Sequence, residues 1–382
     1  MDQQLRLEIR RMSIILSLVA VIAAATAAPQ APSASAIDQT IESAQRRLKI
    51  PGLGVAAVID GKIVYDKAFG QADVENSIAA TPTTRFRTAS LAKPLTATGV
   101  MVLVERGKLD LDAPIHKYCQ TFPQKEHTVT ARQLLGHLAG VRHYGRPGES
   151  LGTQHYFAIA DSLAIFKDDP LLHRPGDKYL YSTFGYSVLG CAIEGATGQT
   201  YAAFMQEHVM KPAGMTNTAI DELYLILPHR ARGYQLLSQE GFKRLPLAAQ
   251  AIAKPNEIYN APLHDTSMKV PGGGWVTTAA DMVRFADALM SGRIVKPATL
   301  EQMWTSLKTS DGKETGYGLG FGVRTTNGSL AIAHTGNQAG AASVLRISPS
   351  RKAAIVALSN REDAPVSDIA NAIVPLINSL AR

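Results

Sequence analysis

Strand patterning at both ends of this chain, with helical patterning between, requires segments separated by most of its length to meet in one sheet. Near the N-terminal end, Gly54–Ile59 and Lys62–Phe69 are rich in β-branched residues, and Asp60-Gly61 between them is a two-residue hairpin signal. In the last third, Gly320–Arg324, Leu330–His334, Ser343–Ser348 and Ala353–Ser359 read as a meander with Asn327-Gly328 as one turn. Between Leu109 and about Asp265, proline and glycine punctuate short helical stretches at Thr130–Leu138, Ser182–Thr197 and Tyr201–Met210. Helices are also predicted over Ile37–Leu48, over Ser90–Glu105 (apolar on most faces, closed by Gly107, with Pro94 in its first turn), and over Val366–Leu380. One more, Thr278–Met290, opens with a capping signal from Thr278 to Asp281. The pattern predicts an α+β fold: an antiparallel sheet flanked by helices (37–112 and 266–382), and an all-helical insertion (113–265). The groove between the two parts is where a site is expected.

The chain opens with Arg6, Arg10 and Arg11, an apolar stretch from Ile14 to Ala25 and the small-residue series Ala25-Thr26-Ala27-Ala28. This reads as a secretory signal over residues 1–28, started at Met1 or Met12, followed by a Pro/Ser/Ala linker at 29–36 and a mature domain at 37–382. The stretch is short beside the roughly 20 residues of a membrane-spanning helix. A periplasmic or secreted protein with no stable membrane span after cleavage is therefore expected. Export permits disulfides, but Cys119 and Cys191 are the only cysteines and no local signal pairs them; two buried free thiols are the expectation, with a bridge left open. The formal charge of +7 is not gathered into a basic run or interleaved with aromatics, which argues against nucleic acid as a partner. Neither His137 with His143 nor the cysteines have metal-ligand spacing, and no dinucleotide fingerprint follows a strand, so no metal or cofactor is called for.

Ser90-Leu91-Ala92-Lys93 places a hydroxyl and an amine three residues apart on one helix face. A serine needs a base within hydrogen-bond reach to act as a nucleophile, and a lysine serves when burial or neighbouring cations lower its pKa. The pattern is weak alone: Ser310-Asp311-Gly312-Lys313 repeats it in a polar, glycine-containing segment with no helix to orient it. Ser90 differs in opening an apolar helix, where backbone N–H groups can stabilise an oxyanion. Tyr181-Ser182-Thr183 adds a phenol at a loop-to-helix junction, able to relay a proton. His334-Thr335-Gly336 ends a strand, and Gly336 would let a substrate approach its backbone. There is no G-x-S-x-G elbow of the α/β-hydrolase kind.

With the three elements in this order, the chain resembles the serine β-lactamase and penicillin-recognising hydrolase superfamily, in particular its class C-like branch. The likeness extends through Thr130–Gly140, Tyr181–Gly190 and Pro271-Gly-Gly-Gly-Trp275. Gly107–Pro114, His137–Tyr144 and Tyr181-Ser-Thr-Phe-Gly look most like the mitochondrial serine β-lactamase-like members. The resemblance implies Ser90 as the acylated nucleophile, Lys93 as its activating partner and Tyr181 as proton shuttle. It implies an oxyanion hole from the backbone N–H groups of Ser90 and Asn337, with Thr183, His334, Thr335 and Gly336 facing substrate. Two positions depart from the family pattern: Thr183 stands where asparagine is common, and the largely neutral His334 where a lysine often attracts the substrate carboxylate. The implied activity is an exported serine hydrolase acting through an acyl-enzyme on a small peptide amide or ester, peptidoglycan fragments included. Its alternatives are a class C-type β-lactamase acting on β-lactams and a low-turnover penicillin-recognising binding or scaffold protein.

Overall fold

A computed structural model describes residues 34–146, 148–326 and 328–380; residues 1–28, read above as a secretory signal, the start of the expected linker and Asn327 lie outside the described residues. The central feature is a seven-stranded antiparallel sheet. Its members are β1 (Gly52–Ile59), β2 (Lys62–Asp73), β3 (Ile78–Ala79), β4 (Gly322–Thr326), β5 (Ser329–Gln338), β6 (Ala341–Ser348) and β7 (Ala353–Ser359), in the order β3-β2-β1-β7-β6-β5-β4. The two chain ends join where β1 pairs with β7, with Val55 opposite Ala357.

Strand alternation explains why β1 and β7 are apolar without interruption. Ala56 and Val58 of β1, with Val356 and Leu358 of β7, enter the larger core; Leu53, Val55 and Ala57, with Ile355 and Ala357, enter a second core on the other face. Helices α1 (Ala34–Arg47) and α5 (Val366–Ser379) cover that second face through Ile37, Ile41, Ile369, Ile373 and Ile377. Because α1 begins at Ala34, residues 34–36 are its first turn, where the sequence reads as linker.

On the first face α4 (Ala279–Met290) packs against β1 and β7, and α2 (Ala92–Glu105) and α3 (Thr183–Thr197) share the core beneath it. Helix α2 is buried from Ala92 to Leu103, which is why it is apolar all round. Thr278 caps α4 by accepting from the Asp281 N–H, and Ser182 caps α3 by accepting from the Gly185 N–H (3.0 Å). The part expected to be all helical also carries short strands at Ala219–Ile220, Tyr234–Leu236 and Ile258–Asn260. The first of these pairs with Trp275–Thr277, which in turn pairs with Phe86–Arg87 just before Ser90.

Contrary to the expectation of free thiols, Cys119 and Cys191 form a disulfide across a separation of 72 residues. It ties a loop to α3, a long-range contact that leaves no local trace in the sequence. Loop-closure entropy over that separation predicts that a Cys119→Ala/Cys191→Ala variant loses about 4 kcal/mol of stability, as measured by denaturant unfolding.

Candidate active site

The sequence places Ser90 at the start of α2, and the structure resolves how. Ala89–Leu91 form a 3-10 turn that runs into α2, entered through Ala89 at φ +46°, a conformation costly for a residue with a Cβ. Ser90 and Lys93 thus span the junction of the two helices. Lys93 Nζ lies 3.0 Å from Ser90 Oγ, 3.1 Å from Thr183 Oγ1 and 2.9 Å from the Gly272 carbonyl. Lys93 is fully buried, and that burial, then the charge of Lys269, holds its pKa well below the ordinary lysine value.

Tyr181 lines the cavity beside Ser90, close enough for the two hydroxyls to interact, and its ring centroid is 4.7 Å from Lys93 Nζ. Burial pushes this phenol upward, so Tyr181 rests protonated, while burial shifts Lys93 the other way, towards the neutral amine that a base beside Ser90 requires. Two histidines absent from the sequence-derived site hold this tyrosine and its neighbours. The His137 ring packs 4.3 Å from that of Tyr181, centroid to centroid, and its Nδ1 accepts from the Ser182 N–H (3.1 Å). His143 Nδ1 accepts from the Thr183 N–H (3.1 Å). Both histidines are kept neutral by burial first and the nearby Lys93 second, His143 at about 4. They are acceptors for the backbone of the Tyr181-Ser182-Thr183 segment, a role that sequence spacing does not signal.

Strand β5 closes the site from the other side. Its outer edge pairs with β4 only from Ser329 to Ala333, so among the described residues His334–Gln338 have no partner strand on that edge. A Cβ at Gly336 would lie 2.4 Å from Ser343 Oγ, 2.6 Å from the Thr88 carbonyl and 2.8 Å from the Ser90 nitrogen. Only glycine lets the strand come this close to the nucleophile's backbone. The Asn337 side chain is committed elsewhere: Nδ2 donates to Asp363 Oδ1 (2.6 Å) and Oδ1 accepts from the Asp363 N–H (2.9 Å). Its backbone remains on the open edge.

His334 departs from the expectation that it faces substrate in the place of a cation. It is buried, with Nδ1 2.7 Å from the Thr335 carbonyl and Nε2 2.8 Å from the Tyr317 hydroxyl. A carbonyl only accepts, so Nδ1 carries the proton and Nε2 accepts from Tyr317. Burial, reinforced by Lys93, lowers its pKa to about 3. His334 is therefore a neutral, buried residue beneath the site, with both nitrogens engaged.

These elements surround a cavity of about 620 Å³. Ser90, Tyr181, Thr183, Thr335 and Asn337 line it, and so do His143, Lys269 and Glu362, which the motifs do not include. Lys269 precedes the Pro271–Gly274 turn whose Gly272 carbonyl accepts from Lys93; that glycine-rich turn is the one sequence signal that could have led to it. The second S-x-x-K sits apart: Ser310 is on an exposed turn, and Lys313 Nζ pairs with Asp311 Oδ2 at 2.6 Å.

Comparison with known proteins agrees with this geometry. The family model described as Beta-lactamase matches residues 37–376. The mitochondrial serine β-lactamase-like protein LACTB of mouse (Mus musculus) is 29% identical over 428 positions, covering 84% of this chain and 75% of its own. The octameric penicillin-binding protein homologue from Pyrococcus abyssi superposes with a TM-score of 0.74 at 25% identity, over 90% of this chain and 77% of that one. A D-amino acid amidase from Ochrobactrum anthropi SV3 shares the fold, with a TM-score of 0.76 at 23% identity over 91% of this chain and 99% of that one.

Proposed function

Since the chain belongs to the β-lactamase family of serine hydrolases, we propose that it hydrolyses a small peptide amide or ester through an acyl-enzyme on Ser90. The observation that carries this reading is the set of three partners around Lys93. A neutral amine has two N–H groups and one lone pair. The Gly272 carbonyl can only accept and Thr183 Oγ1 takes the second N–H, which leaves the lone pair for the Ser90 hydroxyl.

In the proposed first step Ser90 Oγ bonds to the substrate carbonyl carbon as its proton passes to Lys93 Nζ. The oxyanion is held by the Ser90 and Asn337 backbone N–H groups. Tyr181 gives its phenolic proton to the leaving nitrogen or oxygen and is reprotonated from Lys93, which restores the neutral amine. In the second step water attacks the ester carbonyl, its proton follows the same route in reverse, and Ser90 leaves with a proton. The Thr183 and His334 departures favour peptide or ester hydrolysis over efficient β-lactam hydrolysis, since neither the asparagine nor the lysine of the family pattern stands at these positions. An amide substrate also agrees with a fold shared with an amidase.

We place the mature protein in the periplasm or outside the cell, as a class C-like member of the family. The Arg6–Ala28 leader pattern supports export, and so does the Cys119–Cys191 disulfide, a bond at home in oxidising compartments. Fluorophosphonate labelling of the wild type, followed by a panel of aryl esters, D-Ala-D-Ala peptides and a chromogenic cephalosporin, tests the reading. Labelling with ester or peptide turnover is expected. Cephalosporin as the fastest substrate would instead favour the β-lactamase reading, and no turnover of any of them the scaffold one.

A further inference from the structure

Lys269 is 3% exposed and lines the cavity beside Ser90, yet among the described residues its ammonium has no hydrogen bond or ion pair. Its one close polar or aromatic contact is the Tyr144 ring, with the centroid 5.7 Å from Nζ. The nearest carboxylates do not neutralise it. Asp221 is already held by Arg87 (Nε to Oδ2, 2.7 Å) and Arg230 (Nη1 to Oδ1, 3.1 Å). Glu362 lines the same cavity, near enough to influence Lys269 electrostatically, but forms no ion pair with it, and burial favours the neutral form of its carboxyl. Lys269, Arg87 and Arg230 therefore face two carboxylates, Asp221 and Glu362, and burial raises the pKa of the second.

An unpaired buried cation is costly, and an apolar side chain of the same length would fill this place without that cost. The cation is kept where a substrate can reach it, in a cavity that His334, neutral and engaged through both nitrogens, does not line.

We propose that Lys269 is the carboxylate-recognition residue of this site, so that the substrates attacked by Ser90 carry a free carboxylate that ion-pairs with the Lys269 ammonium. This rests on the acyl-enzyme reading above and names its substrate class. Lys269 belongs to the loop that also supplies the Gly272 carbonyl to Lys93, so binding the anion and holding the base are tasks of one short segment.

The test uses two thioesters that differ only in charge, benzoylglycyl thioglycolate and benzoylglycyl thioglycolamide, with release of the thiol as readout. The wild type is expected to prefer the carboxylate. Lys269→Met is expected to lower kcat/KM for the thioglycolate roughly 30-fold or more beyond any loss on the thioglycolamide, the usual effect of removing one partner of a buried charge pair; the smaller loss shared by both substrates reads the influence of Lys269 on Lys93. Equal losses on both substrates would show that Lys269 acts only through Lys93 and would overturn the proposal; so would a wild type that does not distinguish the two. Should the variant fold poorly, the wild type provides a second measurement. N-acetyl-D-alanine is expected to slow fluorophosphonate labelling of Ser90 more than its carboxamide does, and equal protection overturns the proposal. A wild type that the uncharged fluorophosphonate never labels defeats the acyl-enzyme reading itself, whereas labelling without charge discrimination defeats the role of Lys269 alone.

Discussion

Ser90→Ala is expected to abolish fluorophosphonate labelling and to lower thioester or amide turnover roughly 10⁴-fold or more, the scale set by removing the nucleophile from a serine hydrolase. Folding should be little affected. The Ser90 side chain contacts Lys93 and the Tyr181 hydroxyl and carries no part of the apolar core, so the stability change should stay within about 1 kcal/mol in thermal unfolding. Ser310→Ala is the matched control and should label at the wild-type rate. At that second S-x-x-K the ion pair with Asp311 raises the lysine pKa, so the amine stays protonated and cannot act as a base, whereas Lys93 is buried with no carboxylate partner among the described residues. Undiminished labelling of Ser90→Ala would mean that the nucleophile lies elsewhere.

The contrast between the two serines shows what a sequence can and cannot convey about this site. The apolar character of Ser90–Glu105 is a local property and was readable, because a helix buried on all sides must be apolar on all sides. The strands were readable for a similar reason: β1 and β7 are buried on both faces, and their unbroken apolar runs record it. Contacts made across the fold leave no such record. The Cys119–Cys191 bridge joins a loop to α3, and neither neighbourhood encodes the other. His137 and His143 suggest metal ligation or nothing in a linear reading, and become backbone acceptors only once Ser182 and Thr183 are folded against them. His334 illustrates a subtler loss. Its residue type shows an imidazole of ordinary pKa, but the burial that brings it to about 3 and the Tyr317 hydroxyl that takes its second nitrogen belong to the tertiary structure. Lys269 was missed because an isolated lysine is most often solvated, and only its burial makes it informative.

Lys93→Met tests the other half of the chemistry, and its effect on rate should separate from its effect on stability. Acylation of Ser90 is expected to slow about 10²- to 10⁴-fold, the usual contribution of a positioned general base, read as the rate of fluorophosphonate labelling. A decrease below tenfold would transfer the base to Tyr181, against the burial that keeps that phenol protonated. The stability effect follows from the direction of the Lys93 shift. Folding moves this pKa down, by burial first and then by Lys269, so between its folded value and the roughly 10.4 of a free lysine the unfolded chain binds the extra proton. Wild-type stability therefore rises with pH across that window, and the cost of holding the amine neutral is greatest at its lower end. Methionine carries no such cost, though it leaves the Gly272 carbonyl without its donor, a loss that does not vary with pH. Relative to wild type, Lys93→Met should thus be favoured most at the lower end of that window, with the difference shrinking steadily as the pH approaches that of a free lysine. Unfolding curves for the two proteins at a series of pH values measure that convergence. Parallel curves would mean that Lys93 is charged in the folded protein, and a charged lysine cannot accept the Ser90 proton.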